Sequence, residues 1–284
     1  MKFLGTGASE GTPNPFCGCR ICENARKVGG KEIRHRSSFM VDETLFIDFG
    51  ADFFAQTVNH SLNLDKTPNV LFTHMHFDHM NYAVFGSRLD KLEGCKEPLH
   101  AYLSDEAYSY VTNFIEASPL TEYGQFIQPG IAQFHKMEFG KTYKVGKYNV
   151  TALRGRHATR FEKNAANYLI ENHEISMYYA VDSGYFLDET FEALKDKNLD
   201  IFVGECTFPD LEKSIVDETS GHMDVKMCLK TLDNLYENKT ITENTKIYLT
   251  HICPMSSTHA ELSEYIEKLN KPYNITAAYD GLEI

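Results

Sequence analysis

Seven consecutive residues, Thr73-His74-Met75-His76-Phe77-Asp78-His79, restrict what this chain can become more than any other stretch. They follow Asn69-Val70-Leu71-Phe72, an apolar run that reads as a short buried β-strand entering a polar turn. Three imidazoles and a carboxylate this close together cannot all face an apolar core, because each brings hydrogen-bonding groups that would need partners there. They can all face a metal ion. On an extended strand end His74 and His76 share a face by the two-residue period, and the turn beyond can bring Asp78 and His79 back to the same point. Imidazole and carboxylate donors suit Zn²⁺, Mn²⁺ or Fe²⁺, so donor type alone does not choose the metal.

A second cluster lies earlier, in Cys17-Gly18-Cys19-Arg20-Ile21-Cys22. Seven cysteines is an odd count, and Met1-Lys2-Phe3-Leu4-Gly5 goes straight from a short strand into a glycine turn without the look of an export signal. A cytoplasmic protein without a disulfide framework is therefore expected. In a reducing compartment three thiolates at this spacing read as three ligands of a structural zinc whose fourth ligand comes from elsewhere. No run approaches the roughly 18 apolar residues that span a bilayer, so no membrane partner is expected. The net charge of −12 weakens the case for a nucleic-acid partner, whose binding rests on clustered Lys and Arg, although a local basic patch can survive in an acidic protein.

The motif T-H-x-H-x-D-H after an apolar strand resembles the signature of the metallo-β-lactamase superfamily. The resemblance implies an α+β fold: the αββα sandwich, two β-sheets packed face to face with helices outside. It also implies a dinuclear metal site at one edge and hydrolysis by a hydroxide held there. The opening Gly5-Thr6-Gly7-Ala8-Ser9-Glu10-Gly11-Thr12-Pro13 is no dinucleotide fingerprint, since its glycine spacing is wrong and no βαβ context follows. It is similar to the opening of the phosphodiesterase and tRNA-processing branches of the superfamily. The ending Asp280-Gly281-Leu282-Glu283-Ile284 likewise resembles the close of PhnP-like and tRNA 3′-processing enzymes. The cysteine knot resembles an insertion in the PhnP-like branch, typified by the phosphoribosyl cyclic phosphodiesterase of phosphonate breakdown. A single domain over residues 1–284 is expected, with a zinc-knot insertion at about 14–35.

By the same resemblance His74, His76 and His157 would hold one metal, Asp78, His79 and His251 the second, and Asp182 would bridge them. Asp48 would hold the histidine loop by accepting backbone hydrogen bonds without ligating. His222 matches a histidine that faces the leaving group, and with Asp78 it is the candidate catalytic residue. In the PhnP-like branch the knot's fourth ligand is a histidine three positions after the last active-site histidine. Here Pro254 stands in that place, so Cys253 is the candidate, with His259 behind it. The implied activity is a dinuclear phosphodiesterase that opens a small cyclic phosphate such as phosphoribosyl 1,2-cyclic phosphate. Its cofactors would be two divalent ions (Zn²⁺, Mn²⁺ or Fe²⁺) and one structural Zn²⁺. Arg154, Arg156 and Arg160 are candidates for a further phosphate, although surface charge explains each as well. The alternatives are tRNA 3′-end cleavage, thioester or β-lactam hydrolysis, and a zinc-binding interaction module with no activity. A homodimer is implied by family likeness alone.

Periodicity predicts a hairpin around Asp42-Glu43, a helix over Met80 to Leu92, a strand over Pro98 to Leu103 and a helix capped by Ser104. The stretch from Pro119 to Lys136 has little pattern and reads as a loop near the active-site mouth. Paired strands follow over 137–153 and 166–181, then a buried strand over Asp200 to Cys206, a helix from about Val225 to Tyr236, a strand over Lys246 to Thr250 and a helix over Ala260 to Leu269.

Overall fold

The strands of this chain are apolar at consecutive positions, which is stable only when both faces of a sheet are covered. The computed structural model, which describes residues 1–65, 67–88, 97–116 and 130–284, shows that arrangement. In β1 (Lys2–Gly5), Phe3 enters the core between two sheets while Leu4 enters the core beneath an outer layer of helices. Within β3 (Leu45–Ile47), Leu45 and Ile47 face the inner core and Phe46 the outer one.

The first sheet has the order β1, β2 (Ser38–Asp42), β3, β4 (Asn69–Leu71), β5 (Leu99–Ser104), β6 (Ala132–Met137); its first three strands pair antiparallel and the rest parallel. The second sheet runs from β7 (Thr142–Val145) through β8 (Tyr148–Arg154), β9 (Ala166–Glu171), β10 (Ser176–Ala180), β11 (Ile201–Glu205) and β12 (Lys246–Thr250) to β13 (Ile275–Ala277). Strands β7 to β10 form an antiparallel meander, and β10 to β13 pair parallel. Tyr178 and Tyr179 of β10 divide between outer and inner cores just as neighbours in β1 do.

Helices α1 (Arg20–Val28), α2 (Phe53–Asn59), α3 (Ala83–Gly86), α4 (Asp105–Glu116), α5 (Asp188–Leu194), α6 (Val225–Glu237) and α7 (His259–Glu267) complete the fold. The capped starts fall where side-chain chemistry predicts. Ser104 Oγ accepts the Ala107 amide, Asp224 caps α6 through the Met227 amide, and Thr258 with Glu261 forms a capping box on α7. The long helix expected from Met80 is a single turn, Ala83–Gly86; its remainder from residue 89, like most of the pattern-poor stretch from Pro119, lies outside the described residues. Strand β6 occupies the end of that stretch. The cysteine insertion leaves the first sheet and is closed at its base, where Thr12 and Arg34 exchange backbone hydrogen bonds of 2.9 and 2.8 Å.

Strands β8, β10, β11 and β12 run in one direction, so their C-terminal ends share an edge, and the loops after β3 and β4 meet them there. Among the described residues no helix is long and apolar enough to cross a membrane.

Candidate metal centre

Each site residue leaves the end of a strand on this shared edge. His74, His76, Asp78 and His79 follow β4, His157 follows β8, Asp182 follows β10 and His251 follows β12. Two donor groups result: His74, His76 and His157 in one, and Asp78, His79, Asp182 and His251 in the other, with donor atoms in each within 4.8 Å of one another. His76 Nδ1 lies 2.9 Å from His74 Nε2 and 3.1 Å from His157 Nε2. Asp182 stands between the groups, its Oδ2 being 3.2 Å from His74 Nε2 and 3.0 Å from His79 Nε2, and its Oδ1 being 3.1 Å from His251 Nδ1. All seven residues expected to ligate are thus neighbours.

The chemistry of this donor set fits cations. Asp182 Oδ1 is fully buried without a well-formed hydrogen bond and has only the His251 and His222 ring nitrogens near it, at 3.1 and 3.2 Å, so this anionic oxygen depends on positive charge, held by imidazolium or brought by a cation. Burial alone would push the Asp182 carboxyl up, but His251, His79 and His157 outweigh it and hold the group well below the usual carboxylate range. Burial, reinforced by His79, holds His74 well below its ordinary value, leaving an imidazole lone pair free to ligate. These shifts come from the protein's own charges, and bound cations would favour the same ligating forms.

Backbone geometry fixes the donors. Asp48, Asp182 and His251 all have positive φ, at 62°, 52° and 56°, a conformation rare for residues with a Cβ and one that concentrates at functional turns. Gly50 backs the Asp78 turn so closely that a Cβ there would stand 1.9 Å from the Asp78 carbonyl oxygen. Asp48 does not ligate. Its carboxylate accepts the Thr73 amide and hydroxyl at 2.8 Å each and lies 2.6 Å from His79 Nδ1, which leaves His79 Nε2 to face the centre.

His222 sits in the loop before α6, its ring stacked at 20° on His251. Its Nδ1 is 3.2 Å from Asp182 Oδ1 and 3.3 Å from Glu205 Oε2. Burial opposes charge on this ring, but those two carboxylates push its pKa up to about 11. Glu205, the last residue of β11, was not among the expected site residues. Its Oε1 accepts the Ser183 and Gly184 amides at 2.7 and 2.8 Å, and its Oε2 accepts Thr207 Oγ1 at 2.6 Å and the Met223 amide at 3.1 Å. A carboxylate closing an otherwise apolar strand, the feature that marks Asp182, was the available signal.

A cavity of about 230 Å³ opens onto His76, Asp182, His222 and His251 between the side chains of Phe77 and Phe208. Arg154, Arg156 and Arg160 do not line it. Arg154 pairs with Glu189, Arg156 donates to the Tyr185 carbonyl, and Arg160 lies over Phe161. A larger apolar cavity of about 480 Å³ lies between α2 and the start of β5, away from the histidines.

At the cysteine knot, Cys17, Cys19 and Cys22 come together, and Cys19 also caps α1. The two fourth-ligand candidates do not join them. Cys253 is buried outside the three-sulfur group, where burial pushes its thiol up to about 12. His259 Nδ1 lies 3.0 Å from the buried Arg34 guanidinium. The physical reason is local: the Cys253 amide is tied to the Thr207 carbonyl, which holds this residue in the strand-end loop apart from the three knot sulfurs, and His259 is engaged by Arg34.

A sequence model of the Beta-lactamase superfamily domain matches residues 43–252, a span that holds both donor groups. The chain belongs to the beta-lactamase superfamily. This superfamily chain aligns with a solved diphosphatase of the PhnP family over 99% of its own length and 95% of the other, with a TM-score of 0.72 at 20% identity. The short form of human tRNase Z aligns over 99% and 96%, with a TM-score of 0.63 at 14% identity. An octanoyltransferase of Porphyromonas gingivalis is 24% identical over 298 residues, covering 99% of this chain. The chain spans about half the length of that curated relative. Fold and donor groups together place a candidate metal centre on a metallo-β-lactamase fold whose architecture resembles that of the PhnP-family structure.

Proposed function

We propose that the protein is a dinuclear phosphodiesterase that opens a small cyclic phosphate, with phosphoribosyl 1,2-cyclic phosphate as the leading example. The observation that carries this reading is the placement of His222 beside Asp182 on a small cavity lined by members of both donor groups. His74, His76 and His157 would hold one divalent cation and Asp78, His79 and His251 the other, with the Asp182 carboxylate placed between the two groups. When bound, the ions neutralise charge on the phosphate and activate a water for attack. His222 Nδ1 faces the carboxylates of Asp182 and Glu205, so its Nε2 carries the proton delivered to the departing alkoxide, a role worth about 10² to 10⁴ in rate. A cavity of about 230 Å³ suits a small ester better than a tRNA end, and the net charge of −12 argues the same way. The three knot cysteines would hold a separate structural zinc, and their lack of disulfide bonds fits the cytoplasm.

A second reading, hydrolysis of an acyl thioester, is favoured by one observation: a relative named octanoyltransferase contains a stretch similar to this entire chain. The two readings separate in one experiment. The Zn²⁺- and Mn²⁺-loaded protein is followed by ³¹P NMR against 1,2-, 2′,3′- and 3′,5′-cyclic phosphates, and by thiol release against octanoyl thioesters, with Asp182→Ala as control. Ring opening by the wild type alone supports the phosphodiesterase. Thiol release without ring opening sinks it in favour of the second reading.

A further inference from the structure

The knot contains three ligands where a tetrahedral thiolate site needs four. Among the described residues the thiols of Cys17, Cys19 and Cys22 lie within 4.8 Å of one another, and no other Cys, His, Asp or Glu completes the group. Each of the three sulfurs accepts a backbone amide. Cys17 Sγ accepts the Cys19 amide at 3.4 Å, Cys19 Sγ the Cys22 amide at 3.5 Å, and Cys22 Sγ the Asn14 amide at 3.4 Å. The nearest other donor is the Pro254 carbonyl, 3.5 Å from Cys19 Sγ, and a carbonyl is a hard ligand poorly matched to a thiolate-bound ion. Pro254 has no side-chain donor, Cys253 is buried outside the three-sulfur group, and His259 is held against Arg34.

We propose that this knot binds one thiophilic divalent ion through three thiolates and leaves its fourth position to an exchangeable small ligand. Water fills that position at rest, and an imidazole or thiol donor displaces it. Binding the ion releases the three thiol protons and forms three metal–sulfur bonds, with no oxidation or reduction. Cys17 and Cys19 are only partly buried and the adjacent Phe16 is fully exposed, so the open side faces solvent. The inference rests on the reading of the knot as a metal site, and adds that the site is closed from outside the chain.

The test is ¹¹³Cd NMR of the cadmium-loaded full-length protein, in which a thiolate-bound ion resonates far from ions held by nitrogen and oxygen at the dinuclear centre. The expected result is a thiolate-type resonance that shifts saturably with added imidazole, unchanged in Cys253→Ser. In Pro254→His the signal should move without imidazole and stop responding to it. A wild-type resonance indifferent to imidazole, or one altered by Cys253→Ser, would overturn the open position. Zinc X-ray absorption of the wild type gives an independent check, since four sulfurs at the knot would also overturn it. Absence of any thiolate-type resonance would overturn the metal-site reading itself, a distinct outcome.

Discussion

Residues that never touch the donor cluster's centre decide how well it works. Asp48 accepts from Thr73 and orients His79, so Asp48→Asn should leave the fold in place yet weaken metal binding about 10- to 100-fold, as loss of such an outer partner does. Competition against a chelator with metal counting by mass spectrometry measures this, and unchanged affinity would contradict the orienting role. His222 makes a different prediction. If its task is protonation of the leaving group, His222→Ala should lower kcat by about 10² to 10⁴ for an alkoxide leaving group and far less for a nitrophenolate, which needs no proton. Equal losses for both leaving groups would assign His222 to binding or support instead.

At the scale of elements, the segment after His157 is locked to the metal loop by one buried carboxylate. Glu162 accepts the amide of Met75, the residue between His74 and His76, at 2.8 Å and the Ser104 hydroxyl from the head of α4 at 3.2 Å. Burial pushes its pKa up to about 7, against about 4.3 in an unfolded chain, although the Met75 amide and Ser104 pull the other way. Between those values the folded state keeps a proton that the unfolded state releases, so this group makes stability fall as pH rises from about 4 to 7, by roughly 4 kcal/mol in total. Glu162→Gln keeps an acceptor for Met75 and removes the titration. Its urea-unfolding free energy, plotted against pH beside the wild type, should gain on the wild type across that window and stay above it at pH 8. Parallel curves would show that Glu162 does not hold its proton.

Across the whole molecule, the two ends of the chain meet beside the site. Asp280, in the closing Asp-Gly-Leu-Glu-Ile segment, accepts the Thr6 amide and hydroxyl at 2.9 and 2.7 Å and the His35 amide at 2.6 Å, and lies 2.8 Å from His35 Nδ1. The β1 strand and this segment also exchange backbone bonds from Phe3 to Leu282 and from Gly281 to Phe3. Asp280→Ala should therefore cost roughly 3 kcal/mol, since several charge-assisted bonds are lost together. The hydrogen bond to Asp280 raises the His35 pKa. Its contribution is fully present below the unfolded value of about 6.5 and is lost as pH rises through the raised folded value. Thermal unfolding should accordingly show a larger gap between wild type and variant at pH 6 than at pH 9. A gap independent of pH would mean that His35 takes no part.

The sequence alone carried the local chemistry. His74, His76, Asp78 and His79 fall within one turn, so their shared direction follows from strand and turn periodicity, and the three knot cysteines are legible for the same reason. Continuous apolar runs marked the strands because both faces of each sheet are buried. Family resemblance located His157, Asp182 and His251, which spacing could not, since 31 to 172 residues separate the partners in contacts such as Asp48 with His79, His76 with His157 and His79 with His251. Only the tertiary structure decided what depends on side-chain direction at the meeting of distant strands. It brought Glu205 under His222, kept Cys253 out of the three-sulfur group, set His259 against Arg34 and kept the three arginines out of the cavity. Each of those outcomes is fixed by packing between elements far apart in the chain, a quantity that no local pattern of residues encodes.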